Sequence, residues 1–329
     1  MAPVTAAHAQ NAHAGHVDHS GHQGHAAHSS ADHGTHQGED RAQAAHGDHH
    51  ANFESGRFHV RVSGTEGPPD IILIPGLSSS PHVFDDLDAA LGSRYRLHAL
   101  HIQGFAGAPA MDNAQGDTPS LVAAPVADEL ARYIRENNIH HAAVIGHSMG
   151  GTIAMMLAAR HPDLVGRLMV VDMVPFMGAM FAQRGSNPTV ASVQPVADQM
   201  CAMMANSPRE AYQAQSNASI TGMINTESRR AGALRDSERS DQKVSSAAFR
   251  ELIITDLRPE LPAITAPTTV LYVKFNDPRM TNEITDGIYR ASFANLPGAT
   301  LTRIDDSAHF IMYDQPGRFE REVEAFLAR

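Results

Sequence analysis

The sequence predicts an α/β protein, a mainly parallel central sheet with helices on both faces, preceded by a histidine-rich tail. Three observations predict it. Short continuous apolar runs, of the length a buried strand takes, alternate with helical patterns from Phe53 onward. The histidines are crowded toward one end, with 12 of the 21 in the first 50 residues. The chain is 42% hydrophobic and 19% charged, and the body beyond the tail has the size one large α/β domain fills.

The tail, residues 1–52, is built from Ala, His, Gly, Gln, Ser and Asp. Its only branched aliphatics are Val4 and Val17. Too little apolar surface is available there to offset ordering entropy, so the composition predicts a disordered segment. His13, His16, His19, His22, His25 and His28 recur every third residue. In an extended polyproline-like chain, with about 3 residues per turn, that spacing aligns the imidazoles on one side. Such a row could hold Zn, Cu or Ni weakly, and metal binding through it is one functional reading. Ala7-His8-Ala9 has the small-x-small form of a signal-peptidase site and points to export, with a cytoplasmic origin the alternative.

In the body, residues 53–329, Arg57–Val62 alternates as an amphipathic strand. Ile71–Ile74, stopped by Pro75-Gly76, reads as a buried one. Tyr95–Ile102, Ala142–Ile145, Leu168–Val171, Thr269–Val273 and Thr300–Ile304 repeat the pattern. Between them Val122, Val126, Leu130 and Ile134 keep helical spacing, as do Phe319, Val323, Phe326 and Leu327 near the end. The interval of about residues 176–250 shows no strand and is rich in Met, Ala, Gln, Ser and Asn. It is too long for a structureless loop and predicts a small helical cap, whose methionines either fill gaps or face a pocket.

Composition excludes several functions. The net charge is −11 and the basic residues, all Arg except Lys243 and Lys274, form no stripe for nucleic acid. A single cysteine, Cys201, makes neither an internal disulfide nor a cysteine zinc site. No apolar run approaches the ~20 residues of a membrane helix.

Chemistry concentrates at Gly146-His147-Ser148-Met149-Gly150, which lies between a buried strand and the helical Thr152–Arg160. This is a nucleophile elbow in its strand–turn–helix setting, with glycines giving room on both sides of a strained serine and His147 a spacer beside it. Ser148 needs a base, and His309 is the one histidine after His161. The orienting acid falls on Asp277, after the strand Thr269–Val273, or on Asp172 at the end of an earlier strand; Asp256, Asp305 and Asp306 are weaker candidates. Backbone N–H groups of Met149 and of Leu77, in the loop Pro75–Ser80, are placed to form an oxyanion hole.

Ile74-Pro75-Gly76, Gly146-His147-Ser148-Met149-Gly150-Gly151, Asp277-Pro278 and His309-Phe310 resemble the α/β-hydrolase fold superfamily, and within it capped esterase and perhydrolase-like members. The resemblance spans about residues 57–329. It implies an eight-stranded, mostly parallel sheet, a Ser148–His309–Asp277 triad and no required cofactor. Gln103 before Gly104-Phe105, Ala308 before the histidine and Lys274 at the start of the acid turn depart from its usual residues. The expected activity is hydrolysis of small to medium apolar carboxylic esters. Lactone, amide or carbon–carbon bond hydrolysis and cofactor-free perhydrolysis would use the same serine chemistry.

Overall fold

The structure, a computed structural model, describes residues 53–116, 119–182, 186–274, 277 and 279–329. The histidines from His13 to His28 and the Ala7–Ala9 motif lie outside the described residues.

Seven strands form one sheet among the described residues: β1 (Phe58–Gly64), β2 (Ile71–Ile74), β3 (Arg96–Ile102), β4 (Ala142–His147), β5 (Val165–Val171), β6 (Thr268–Tyr272) and β7 (Thr300–Arg303). Their spatial order is β1-β3-β2-β4-β5-β6-β7. Only β1 runs antiparallel, pairing Phe58 with Ile102; every other pairing is parallel. The resemblance implies eight strands, and the described residues supply seven.

Central strands are apolar on both faces because helices cover both. Ile72, Ile74, Val144, Val170 and Val270 pack under α2 (Ala123–Glu136) and α3 (Met149–Arg160). Ile71, Leu73, Ile145, Met169 and Leu271 pack under α1 (Asp85–Leu91) and α10 (Pro316–Leu327). The spacing read at Phe319, Val323, Phe326 and Leu327 is the face α10 buries. Each such side chain contributes about 1.5–3 kcal/mol of transfer free energy.

Between β5 and β6 the chain leaves the sheet for four helices, α4 (Val190–Asn206), α5 (Arg209–Met223), α6 (Arg230–Arg239) and α7 (Gln242–Ile254). Phe176, Val193, Ala197 and Ile253 give α4 and α7 a small core of their own. After β6 come α8 (Asn282–Ser292), then β7 and the short α9 (Ile311–Asp314). No helix among the described residues is long and apolar enough to cross a membrane.

Candidate active site

The parallel order puts the carboxyl ends of β4, β5 and β6 side by side, and the candidate residues sit just beyond them. β4 is central, with His147 paired to Val171 of β5. The next residue on each strand is Ser148 and Asp172 respectively, so register alone makes them neighbours. Both have left-handed backbones, φ 53° at Ser148 and 51° at Asp172. Neither is a glycine, and such conformations persist only where the surroundings impose them. At Ser148 they do. The turn folds so tightly that a Cβ on Gly146 would collide with the Gly150 carbonyl, and one on Gly150 with the Ile74 carbonyl. Ser148 N–H donates to Val171 O at 2.9 Å, and its carbonyl accepts from Gly151 at 2.7 Å as α3 begins.

His309 lies on the loop between β7 and α9. Its Nδ1 is 2.6 Å from Asp172 Oδ2. A carboxylate only accepts, so Nδ1 carries the proton and Nε2 keeps its lone pair. Asp172 is in turn fixed: its N–H donates to Leu271 O at 2.7 Å, and its Oδ1 accepts from Val273 N at 3.1 Å and Tyr289 Oη at 2.9 Å. The Asp172 side chain is 8% exposed and that of His309 23%, so the carboxylate is enclosed while the imidazole reaches solvent.

This corrects the expected assignment of the acid to Asp277. Asp277 pairs with Arg279, Oδ2 to Nη2 at 2.6 Å and Oδ1 to Nε at 2.9 Å, and also accepts from the Arg279 N–H. Those bonds hold its carboxyl at about 2, below its ordinary 3.8. It is a turn aspartate, whose carbonyl accepts from the Met280 N–H. The remaining aspartates are engaged elsewhere: Asp256 binds Arg258 and Asp305 binds Arg303. Asp306 takes a left-handed turn position, and its carbonyl accepts from Gln315.

His147 has a larger part than the spacer expected. It is fully buried. Its Nε2 donates to the His309 carbonyl at 3.0 Å, and its ring packs on those of His309 and Phe310 at 4.7 and 4.8 Å. The elbow thus grips the loop that carries His309. Burial, with the nearby His309, pushes His147 well below the ordinary 6.5. The folded state keeps it neutral while the unfolded chain takes up a proton, so stability falls as pH drops below 6.5. The slope is up to about 1.4 kcal/mol per pH unit. His147→Gln, which keeps a donor, is expected to flatten this dependence in urea unfolding at pH 7 and 5; an unchanged slope would contradict it.

The backbone N–H groups of Leu77 and Met149 have no acceptor among the described residues. Both lie beside the serine: Leu77 adjoins Gly76, which abuts the Ser148 side chain, and Met149 is the residue after Ser148. Met149 opens α3, so its N–H is one of the unpaired donors at the positive end of the helix.

The four-helix insertion is clamped to the loops of the site, which no pattern in the sequence discloses. Asp236 of α6 accepts from Ser80 N at 2.9 Å and Ser80 Oγ at 2.6 Å. Ser245 of α7 bonds Ser78 at 2.9 Å. Asp314 accepts from Asn225 and Thr226 in the insertion and from Ala308, the neighbour of His309. No cluster of three or more metal-ligating side chains occurs among the described residues.

Comparison with known proteins agrees with this fold. A family model described as alpha/beta hydrolase family matches residues 71–322. A pimeloyl-(acyl-carrier protein) methyl ester esterase of Vibrio cholerae is 25% identical over 259 residues, 78% of this chain and 91% of that protein. One from Aeromonas hydrophila is 30% identical over 122 residues, covering 37% of this chain and only 44% of that protein. Among solved structures, the enol-lactonase from Burkholderia xenovorans LB400 superposes with a TM-score of 0.64 at 18% identity, over 83% of this chain and 96% of that one. The esterase from Exiguobacterium antarcticum gives 0.65 at 18%, over 83% and 96%. The chain belongs to the alpha/beta hydrolase family.

Proposed function

We propose that the protein is a serine hydrolase of small to medium apolar carboxylic esters. The observation that carries this is the 2.6 Å His309–Asp172 pair beside a serine held in a left-handed elbow. Ser148 and Asp172 follow neighbouring strands and His309 bonds Asp172, and these are the three kinds of group that acyl transfer through a serine uses. Ser148 Oγ attacks the acyl carbon as His309 Nε2 takes its proton. The Leu77 and Met149 N–H groups hold the oxyanion, and His309 then protonates the leaving alcohol. Water, deprotonated by His309, attacks the acyl-enzyme and releases the acid. Asp172 keeps the imidazole in the productive tautomer throughout.

An ester substrate is favoured by the relatives named methyl ester esterases and by a Met- and Ala-rich insertion, the proposed cap, bonded to the loop Pro75–Ser80. Release of p-nitrophenol from short-chain esters by the wild type, lost in Ser148→Ala, tests the proposal; activity surviving the substitution would overturn it. Every role in the cycle falls to a protein group, so EDTA treatment is expected to leave the rate unchanged. Metal binding by the tail histidines is a separate proposal, tested by Zn²⁺ titration of the full chain with and without His13, His16, His19, His22, His25 and His28 replaced by Ala.

A further inference from the structure

We propose that Tyr289 is a positioning residue that sets the basicity of His309 through Asp172. The inference deepens the serine-hydrolase reading and rests on it. Asp172 has two carboxylate oxygens with separate duties. Oδ2 faces His309 at 2.6 Å, while Oδ1 receives the Tyr289 hydroxyl at 2.9 Å and the Val273 N–H at 3.1 Å. Donors on Oδ1 stop the carboxylate from rotating and draw its negative charge away from the imidazole.

Tyr289 is itself immobilised. It is 1% exposed, and its ring stacks on Tyr272 at 4.0 Å and 20°. Tyr272, the last residue of β6, donates its hydroxyl to Asp286 at 2.9 Å. Arg303 holds both oxygens of Asp286 at 2.7 Å. The Tyr272 ring of β6 thus backs the Tyr289 ring and keeps its hydroxyl on Asp172. Burial and the adjoining carboxylate push the phenol well above 10, so it stays a donor at working pH. This arrangement goes with the place of the acid: an aspartate ending β5 lies within reach of α8, the helix that joins β6 to β7.

The groups facing His309 are Asp172 from β5, His147 from β4, and Tyr289 behind Asp172, with Tyr272, Asp286 and Arg303 beyond. Removing the hydroxyl leaves Oδ1 with Val273 alone. The carboxylate then attracts the His309 proton more strongly, and the titration of His309 moves up in pH.

Tyr289→Phe keeps the ring stack. It is expected to raise the midpoint of His309, followed by NMR of labelled imidazole, by about half a pH unit or more. The acid limb of kcat/KM should move with it, with kcat reduced several-fold and KM unchanged. Site-specific 3-fluorotyrosine at 289, the same shape with a stronger donor, should move the midpoint the opposite way, and it decides the matter if the Phe variant does not fold. Tyr272→Phe removes a hydroxyl from the same stack without touching Asp172 and should leave His309 titrating as in the wild type. Identical His309 titration in the wild type, Tyr289→Phe and the fluorinated protein would overturn the proposal. Failure of the hydrolase reading looks different: the NMR shifts appear, but no ester is cleaved.

Discussion

Asp172→Asn is expected to lower kcat by about 10⁴-fold, as loss of a triad acid does, whereas Asp277→Asn leaves it within about twofold. The large loss originates in the donors around Asp172. Tyr289 Oη and Val273 N both point at Oδ1. An asparagine must therefore place its carbonyl oxygen there, which turns its NH₂ toward His309 Nδ1. Nδ1 then accepts, the proton moves to Nε2, and the imidazole can no longer take a proton from Ser148. Asp277 has no such link, since its carboxyl is bound to the exposed Arg279. Steady-state hydrolysis of a p-nitrophenyl ester by the two variants separates them. A large loss in Asp277→Asn with Asp172→Asn near wild type would reverse the assignment.

The central strands are legible because a strand buried on both faces needs a continuous apolar run, as Ile71–Ile74 shows, and the edge strand β1 because it alternates. The elbow at Ser148 is legible because a tight strand–turn–helix demands a local glycine pattern, and His309 stands out as a candidate because no other histidine follows His161. The acid is not. Asp172 and Asp277 each come after a strand and each precede His309, so chain order admits both. The difference between them is tertiary: β5 lies next to β4, and an arginine two residues on claims Asp277. The part His147 plays is hidden for a related reason. Its position in the motif says nothing of the His309 carbonyl 162 positions away. The insertion is legible as helical from its length and composition, but Asp236, Ser245 and Glu251 look like ordinary surface residues until their partners are placed.

Glu251→Ala is expected to destabilise the fold by about 4 kcal/mol, because three backbone donors, two of them buried, lose their acceptor together. Glu251 belongs to α7 in the insertion and is 2% exposed. Its Oε2 accepts from Val122 N at 2.6 Å and Ala123 N at 2.7 Å, and its Oε1 from Ala124 N at 2.8 Å. These are the N–H groups that open α2, which has no side-chain cap of its own. A helix start leaves such donors unpaired, and its positive end favours a carboxylate. The insertion therefore supplies the cap of a helix that lies on the sheet, and the two bodies should melt as one. For a domain of this size the loss corresponds to a fall in Tm of roughly 10 °C. Glu251→Gln retains one acceptor oxygen but turns an NH₂ toward an N–H, so it should fall short of the wild type as well. Thermal unfolding followed by circular dichroism measures both. A loss under about 1 kcal/mol in Glu251→Ala would show that water replaces the carboxylate and that the insertion is held to α2 by packing alone.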